Sequence, residues 1–211
     1  MHLVTLENRQ LREIYVTWNG DRFLEVSGQL STPQLADYFP WVGVDLLAPA
    51  YPDGYRTEVN LAALDWLATV TQKLQQGYLL TIDYGYSSTR YYNPQRHQGT
   101  LQCYHQHRRH SDPYRNLGQQ DITAHVDFTA LERHGQHLGW QTLGLTKQGL
   151  LLMALGIGDR LSGLASGNYS VLEVLQRRDA LHQLIDPAGL GNFVVLLQGK
   201  NLRPHQQRLR V

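Results

Sequence analysis

Apolar and polar positions alternate along the chain with two periods, and the punctuation between them sets the elements. Residues 11–18 and 23–29 are rich in Val, Ile, Tyr and Trp, with Asn19-Gly20-Asp21 between them. Asn-Gly tolerates positive φ, so the pair predicts a β-hairpin. Thr32 then fits an N-cap and Pro33 a first helical position, for a helix that should stop by Pro40. Residues 41–55, with Pro49, Pro52 and Gly54, read as a loop, either a connector or a substrate-facing flap.

Asn60 can cap a helix whose Leu61, Leu64, Leu67, Val70 and Leu74 recur at helical spacing, closed by Gly77. The apolar run 77–83 follows and predicts a buried strand ending in Asp83. Beyond it the pattern predicts a helix over 128–138 with Asp127 as N-cap and Gly139 as C-cap, and a strand over 140–145. It then gives a short helix over 148–155, a longer one over 169–185 stopped by Asp186-Pro187, and a strand over 192–198. The basic tail 200–211 reads as frayed. Helix and apolar strand in alternation imply one α/β domain over 1–211, built on a mostly parallel sheet.

Composition narrows the function classes little. The chain is 42% hydrophobic and 18% charged with a net charge of +1, so no global field recruits nucleic acid or an acidic membrane. No apolar run approaches the ~20 residues of a membrane span, and the N-terminus lacks a signal-peptide pattern. With a single cysteine, Cys103, the chain cannot form an internal disulfide. These features predict a soluble cytoplasmic protein.

The chemistry-bearing residues gather between 56 and 128. Asp83, at the carboxyl end of a strand, stands where open α/β sheets bind ligands, though it could equally cap the following loop. Glu58 precedes the Asn60 helix, where it can favour the helix dipole or enter a cleft as a second carboxylate. Two carboxylates can hold a guanidinium through bidentate bonds. Thr123 and His125 are not explained by the cap at Asp127, and His125 can act as acid or base near neutral pH. His105, His107 and His110 lie close to Cys103, but their spacing matches no zinc frame, so no metal is expected. There is no G-x-S-x-G elbow, no P-loop and no G-x-G-x-x-G after a strand; Gly156-Ile157-Gly158 follows a helix.

Gly77-Tyr78-Leu79-Leu80-Thr81-Ile82-Asp83-Tyr84-Gly85, then Gly99-Thr100-Leu101 with Tyr104 and His107, then Gly118 through Asp121-Ile122-Thr123-Ala124-His125-Val126-Asp127-Phe128 together resemble the MidA family. These are S-adenosylmethionine-dependent methyltransferases related to a mitochondrial complex I assembly factor. Tyr55-Arg56-Thr57-Glu58-Val59-Asn60 is similar to another family stretch. The resemblance implies a class I methyltransferase fold, a mostly parallel Rossmann-like sheet with flanking helices, an inserted β-hairpin and an antiparallel last strand. It also implies S-adenosyl-L-methionine as methyl donor and a protein arginine, on an NADH dehydrogenase complex subunit, as acceptor.

In that family the glycine-rich cofactor loop, the acidic residue for the ribose and an Asn-Glu-Leu-Leu-Asp-Ala-Leu-Pro-like stretch come earlier than anything in this chain. The chain therefore resembles the C-terminal half of the fold, and the cofactor-binding residues are expected mainly in the missing half. Val194 stands where family members often carry a lysine. The catalytic candidates are Asp83, Glu58 and His125. The substrate-binding candidates are Arg56, Tyr84, Gly85, Thr100, His107, Asp121 and Thr123. A half-sheet exposes the edge of the Asp83 strand, which invites a complementing N-terminal chain or a homodimer. The alternative to an enzyme is a non-enzymatic assembly module that binds a complex subunit through the same cleft.

Overall fold

The computed structural model describes residues 1–203; residues 204–211, most of the tail read as frayed, lie outside the described residues. In chain order the elements are β1 (His2–Glu7), β2 (Gln10–Trp18), β3 (Phe23–Gly28), α1 (Gln34–Val42), β4 (Arg56–Val59), α2 (Leu61–Lys73), β5 (Gly77–Asp83), β6 (Gly85–Tyr86) and α3 (Ser88–Tyr91). There follow β7 (Gln102–His105), β8 (Arg108–His110), β9 (Asp121–Thr123), β10 (Val126–Asp127), α4 (Phe128–His137), β11 (Gln141–Lys147), α5 (Gln148–Ala154), α6 (Ile157–Gly163), α7 (Val171–Ile185) and β12 (Val194–Lys200). The chain forms two compact units, one of residues 1–67 and 86–133, the other of 68–85 and 134–211.

The first unit carries a four-stranded sheet in the order β3-β2-β1-β4 and a small one in the order β8-β7-β9. The Asn19-Gly20 hairpin forms as predicted. Asn19 Oδ1 accepts from the backbone N–H groups of Asp21 and Arg22, at 3.0 and 2.8 Å. Helix α1 covers the larger sheet, and its Leu35, Phe39 and Val42 are buried with Val4, Leu6 and Val59 of β1 and β4. Each such side chain contributes roughly 1.5–3 kcal/mol on burial. The helix runs through Pro40, where the sequence predicted its end. The ring there costs only the bond to the carbonyl of Ala36, and Gly43, at φ 82°, closes the helix with bonds back to Phe39 and Pro40.

The second unit holds a sheet in the order β11-β12-β5 with α5, α6 and α7. Strand β12 is central and buried along Val194–Gly199, which explains its unbroken apolar run. Helix α7 opens on a capping box in which Ser170 and Glu173 bond each other's backbone N–H groups. All pairings within the two three-stranded sheets and the four-stranded one are antiparallel. This corrects the expectation of a mostly parallel sheet. It agrees with the expected antiparallel last strand, since β12 runs opposite to β5. Among the described residues β5 is an edge strand and not the buried one expected, with Leu80 51% and Ile82 41% exposed. No single helix there is long and apolar enough to cross a membrane.

Candidate functional site

The first unit is built around a buried carboxylate. Strand β4 carries Glu58 into the interior, where 2% of the residue is exposed. Its oxygens accept from the backbone N–H of Thr100 (2.9 and 3.0 Å) and of Leu101 (3.0 Å). The Thr100 hydroxyl donates at 3.1 Å and the Tyr91 hydroxyl at 3.2 Å. Four charge-assisted donors offset the cost of burying the ion. Gly99, at φ 72°, makes the turn that aims the two amides, and a Cβ there would strike the Glu58 carboxylate. Burial and the nearby Glu58 charge push the Tyr91 phenol far above its ordinary range, so it stays a donor.

Thr100 Oγ1 also accepts from the backbone N–H of His125 at 3.0 Å, which hangs the 121–127 segment on the same group. The His125 ring stacks on Tyr86, with centroids 4.9 Å apart and planes 9° apart. The guanidinium carbons of Arg90 and Arg96 each lie 4.6 Å from the Tyr86 centroid.

A second, half-buried carboxylate belongs to Asp127. It accepts from Ser88 Oγ (2.7 Å), Tyr38 Oη (2.9 Å) and the backbone N–H groups of Thr129 (3.0 Å) and Ala130 (3.3 Å). It caps α4 as predicted and ties α1 and α3 to that cap. Burial raises its pKa above the ordinary aspartate value, and the hydrogen bonds from Ser88 and Tyr38 only partly oppose this. The Tyr92 hydroxyl donates towards Tyr38 Oη at 3.4 Å and the Glu58 carbonyl at 3.3 Å, linking the two carboxylate sites.

Arg56, one pleat from Glu58, forms a bidentate pair with Glu25 of β3, both contacts 2.9 Å. Thr123 ends β9 and its hydroxyl donates weakly to the Gln102 carbonyl at 3.4 Å. Asp121 is the exposed first residue of β9, and His107 sits at the exposed tip of the β7–β8 turn at φ 62°. Asp83, Tyr84 and Gly85 belong to the other unit. Asp83 Oδ1 accepts from the next backbone N–H, of Tyr84, at 2.7 Å, and the Tyr84 ring meets Phe193 edge-on at 5.9 Å. His105 Nδ1 contacts the Gln119 carbonyl at 2.6 Å. No group of three or more His, Cys, Asp or Glu side chains among the described residues is placed to hold a metal ion.

Residues 1–146 match the family described as "Putative S-adenosyl-L-methionine-dependent methyltransferase". The chain belongs to this methyltransferase family. Two solved structures from Burkholderia thailandensis resemble the family member closely. One is a COG1565 superfamily protein bound to S-adenosyl-homocysteine, 32% identical, with a TM-score of 0.83 over 98% of this chain and 51% of that one. The other is a native COG1565 superfamily protein, 33% identical, with a TM-score of 0.82 over 97% of this chain and 53% of that one. The methyltransferase-family chain thus spans about half the length of these structures. No curated protein matches it.

The sequence did not point to Tyr38 and Ser88 as partners of Asp127, to Tyr92 as the link to the Glu58 carbonyl, or to Glu25 as the partner of Arg56. One signal was available. Twelve tyrosines stand against four phenylalanines, and a core that prefers tyrosine needs uses for the hydroxyls.

Proposed function

We propose that this chain is the acceptor-facing part of an S-adenosyl-L-methionine-dependent methyltransferase of the MidA type, acting on a protein arginine of an NADH dehydrogenase complex subunit. The observation that carries the reading is the likeness to the S-adenosyl-homocysteine-bound protein over nearly the whole of this chain. The cofactor supplies the methyl group when bound. Its pocket is not assigned to residues of this chain. No glycine-rich turn follows a strand here.

What the chain's own residues do follows from their chemistry. A guanidinium keeps its proton to a pH above about 12, so it must be oriented and relieved of a proton as it is alkylated. Asp83 is the carboxylate proposed for orientation and proton acceptance. His125, held by Tyr86 and Thr100, is proposed as a second acid–base group. Glu58 has its acceptors committed, so it serves as a positioning residue that fixes Thr100 and Leu101. Arg56, Tyr84, Gly85, Thr100, His107, Asp121 and Thr123 are proposed to contact the acceptor polypeptide.

The test is methyl transfer from labelled S-adenosylmethionine to isolated NADH dehydrogenase subunits, read by mass spectrometry of dimethylarginine. Label on arginine that drops on Asp83→Asn supports the reading; label on lysine alone, or none, ends it. A non-enzymatic assembly module is favoured by one observation, the lack of a glycine-rich cofactor turn in this chain. The same assay separates the two, because an assembly module would bind the subunit in a pull-down and leave it unlabelled.

A further inference from the structure

Tyr86 of β6 gathers a column of aromatic and charged groups, all of them within the first unit. Its half-buried ring stacks on His125, and the guanidinium carbons of Arg90 and Arg96 both lie 4.6 Å from its centre. Arg96 is fixed in place, because its Nη1 donates to the backbone carbonyls of Arg90 at 2.6 Å and Tyr91 at 3.1 Å. Among the described residues neither guanidinium is in an ion pair. A single tyrosine face attracts a cation, so alone it would favour a protonated imidazole. Here two guanidiniums already engage that face. Each stands within about 10 Å of the imidazole, so a proton on His125 adds a third positive charge to one column. The opposing negative groups are Glu58, joined to His125 through the Thr100 hydroxyl, Asp127, two residues on, and Asp121 at the exposed start of β9. The oxygens of Glu58 and Asp127 are directed at their own donors.

We infer that Tyr86, Arg90 and Arg96 are positioning residues for His125, fixing the plane of the imidazole and weighting it towards the neutral form that accepts a proton. This role rests on the reading of His125 as an acid–base group of a methyltransferase, and it narrows that reading: His125 takes a proton and does not supply one. A guanidinium nitrogen that forms a bond to the donated methyl must give up one proton. Neutral imidazole receives it on a ring nitrogen and becomes imidazolium. The two arginines then favour release of that proton to water, which restores the base.

The test is an NMR titration of the His125 ring proton Hε1 in the full chain, without cofactor or acceptor, at low ionic strength, where screening is weakest. Loss of the signal in His125→Gln identifies it. Arg90 is exposed, so Arg90→Gln should fold, and it leaves the backbone contacts of Arg96 in place. It should move the titration midpoint up by about 0.3 in pH or more, the Coulomb value for one charge about 10 Å away in water. Arg90→Lys keeps the charge and should restore the wild-type midpoint. Tyr86→Phe keeps the stacked ring and should leave the signal in place, whereas Tyr86→Leu should shift it downfield. A midpoint that Arg90→Gln leaves unmoved or lowers, a signal unmoved by Tyr86→Leu, or a wild-type midpoint above that of histidines in the urea-unfolded chain overturns the inference. Those outcomes leave the methyltransferase reading standing, because the titration involves no methyl transfer. Unlabelled arginine in the transfer assay ends that reading instead, whatever the midpoint.

Discussion

At the scale of single residues, Glu58 shows how a charge can be buried and why it tolerates little change. An amide in its place would leave part of this donor set facing an N–H. In Glu58→Gln the side-chain NH2 must oppose either the Thr100 or the Leu101 N–H, and hydrogen bonds to a charged group contribute about 1.5–3 kcal/mol each. Urea denaturation should therefore show a loss of about 2–4 kcal/mol. A loss under about 0.5 kcal/mol, the range of ordinary surface changes, would mean that the carboxylate does not hold the turn. Glu25 adds a pH dependence. Burial pushes its carboxyl up, and the Arg56 guanidinium more than offsets this, leaving the pKa below the ordinary 4.5. Its stabilising effect is then complete above that value and disappears as pH falls through the lower folded-state value. Glu25→Gln should flatten the acid limb of a stability–pH curve below the ordinary value of 4.5. Asp127 works in the opposite sense. Its pKa is raised, so stability from that group rises as pH drops towards 3.8, which makes the subtraction of the two curves, wild type and variant, the informative measurement.

Asp127 matters most at the scale of elements, because its carboxylate joins the cap of α4 to Tyr38 of α1 and Ser88 at the head of α3. Asp127→Ala removes the cap and takes away the acceptor for the buried Ser88 and Tyr38 hydroxyls. The expected cost is about 2–4 kcal/mol, against about 1 kcal/mol for a surface cap. Amide exchange should accelerate in α1 and α3 as well as in α4; acceleration confined to α4 would show that the tie between elements is not there. The cap itself was legible, because Asp before an apolar helical run is a local signal. So were the Asn19-Gly20 hairpin, the Asn60 cap, whose Oδ1 accepts from Ala63 N–H at 3.2 Å, and the strand ending at Asp83. What was not legible depends on chain distance. The donors to Glu58 lie 42 and 43 residues away at Thr100 and Leu101, and the acceptor for Tyr38 lies 89 residues on. The pairing sense of β5 depends on β12, which no local pattern announces. Helix α6 was hidden by Gly156 and Gly158, which read as a break although Gly156, at φ 84°, lies immediately before its first turn.

For the molecule as a whole, the consequential feature is the free side of β5. Its apolar residues Leu80 and Ile82 are about half exposed, while Val195 and Leu196 on the neighbouring strand are fully buried. A strand with that composition and an edge unpaired among the described residues presents both backbone groups and apolar surface to any chain that can extend the sheet. The matched structures are about twice as long as this chain, and one of them carries S-adenosyl-homocysteine. The 211-residue chain studied by itself should therefore self-associate through β5. Lysine at both Leu80 and Ile82 should shift it towards monomer in sedimentation velocity, since charges on an edge strand oppose sheet extension. The same substitutions should leave the Glu58 cluster intact, because that cluster is closed within the first unit; the amide shifts of Thr100 and Leu101 are the check. Association that survives both lysines would move the sticky surface elsewhere, with the exposed Leu172 and Leu175 of α7 the next to substitute.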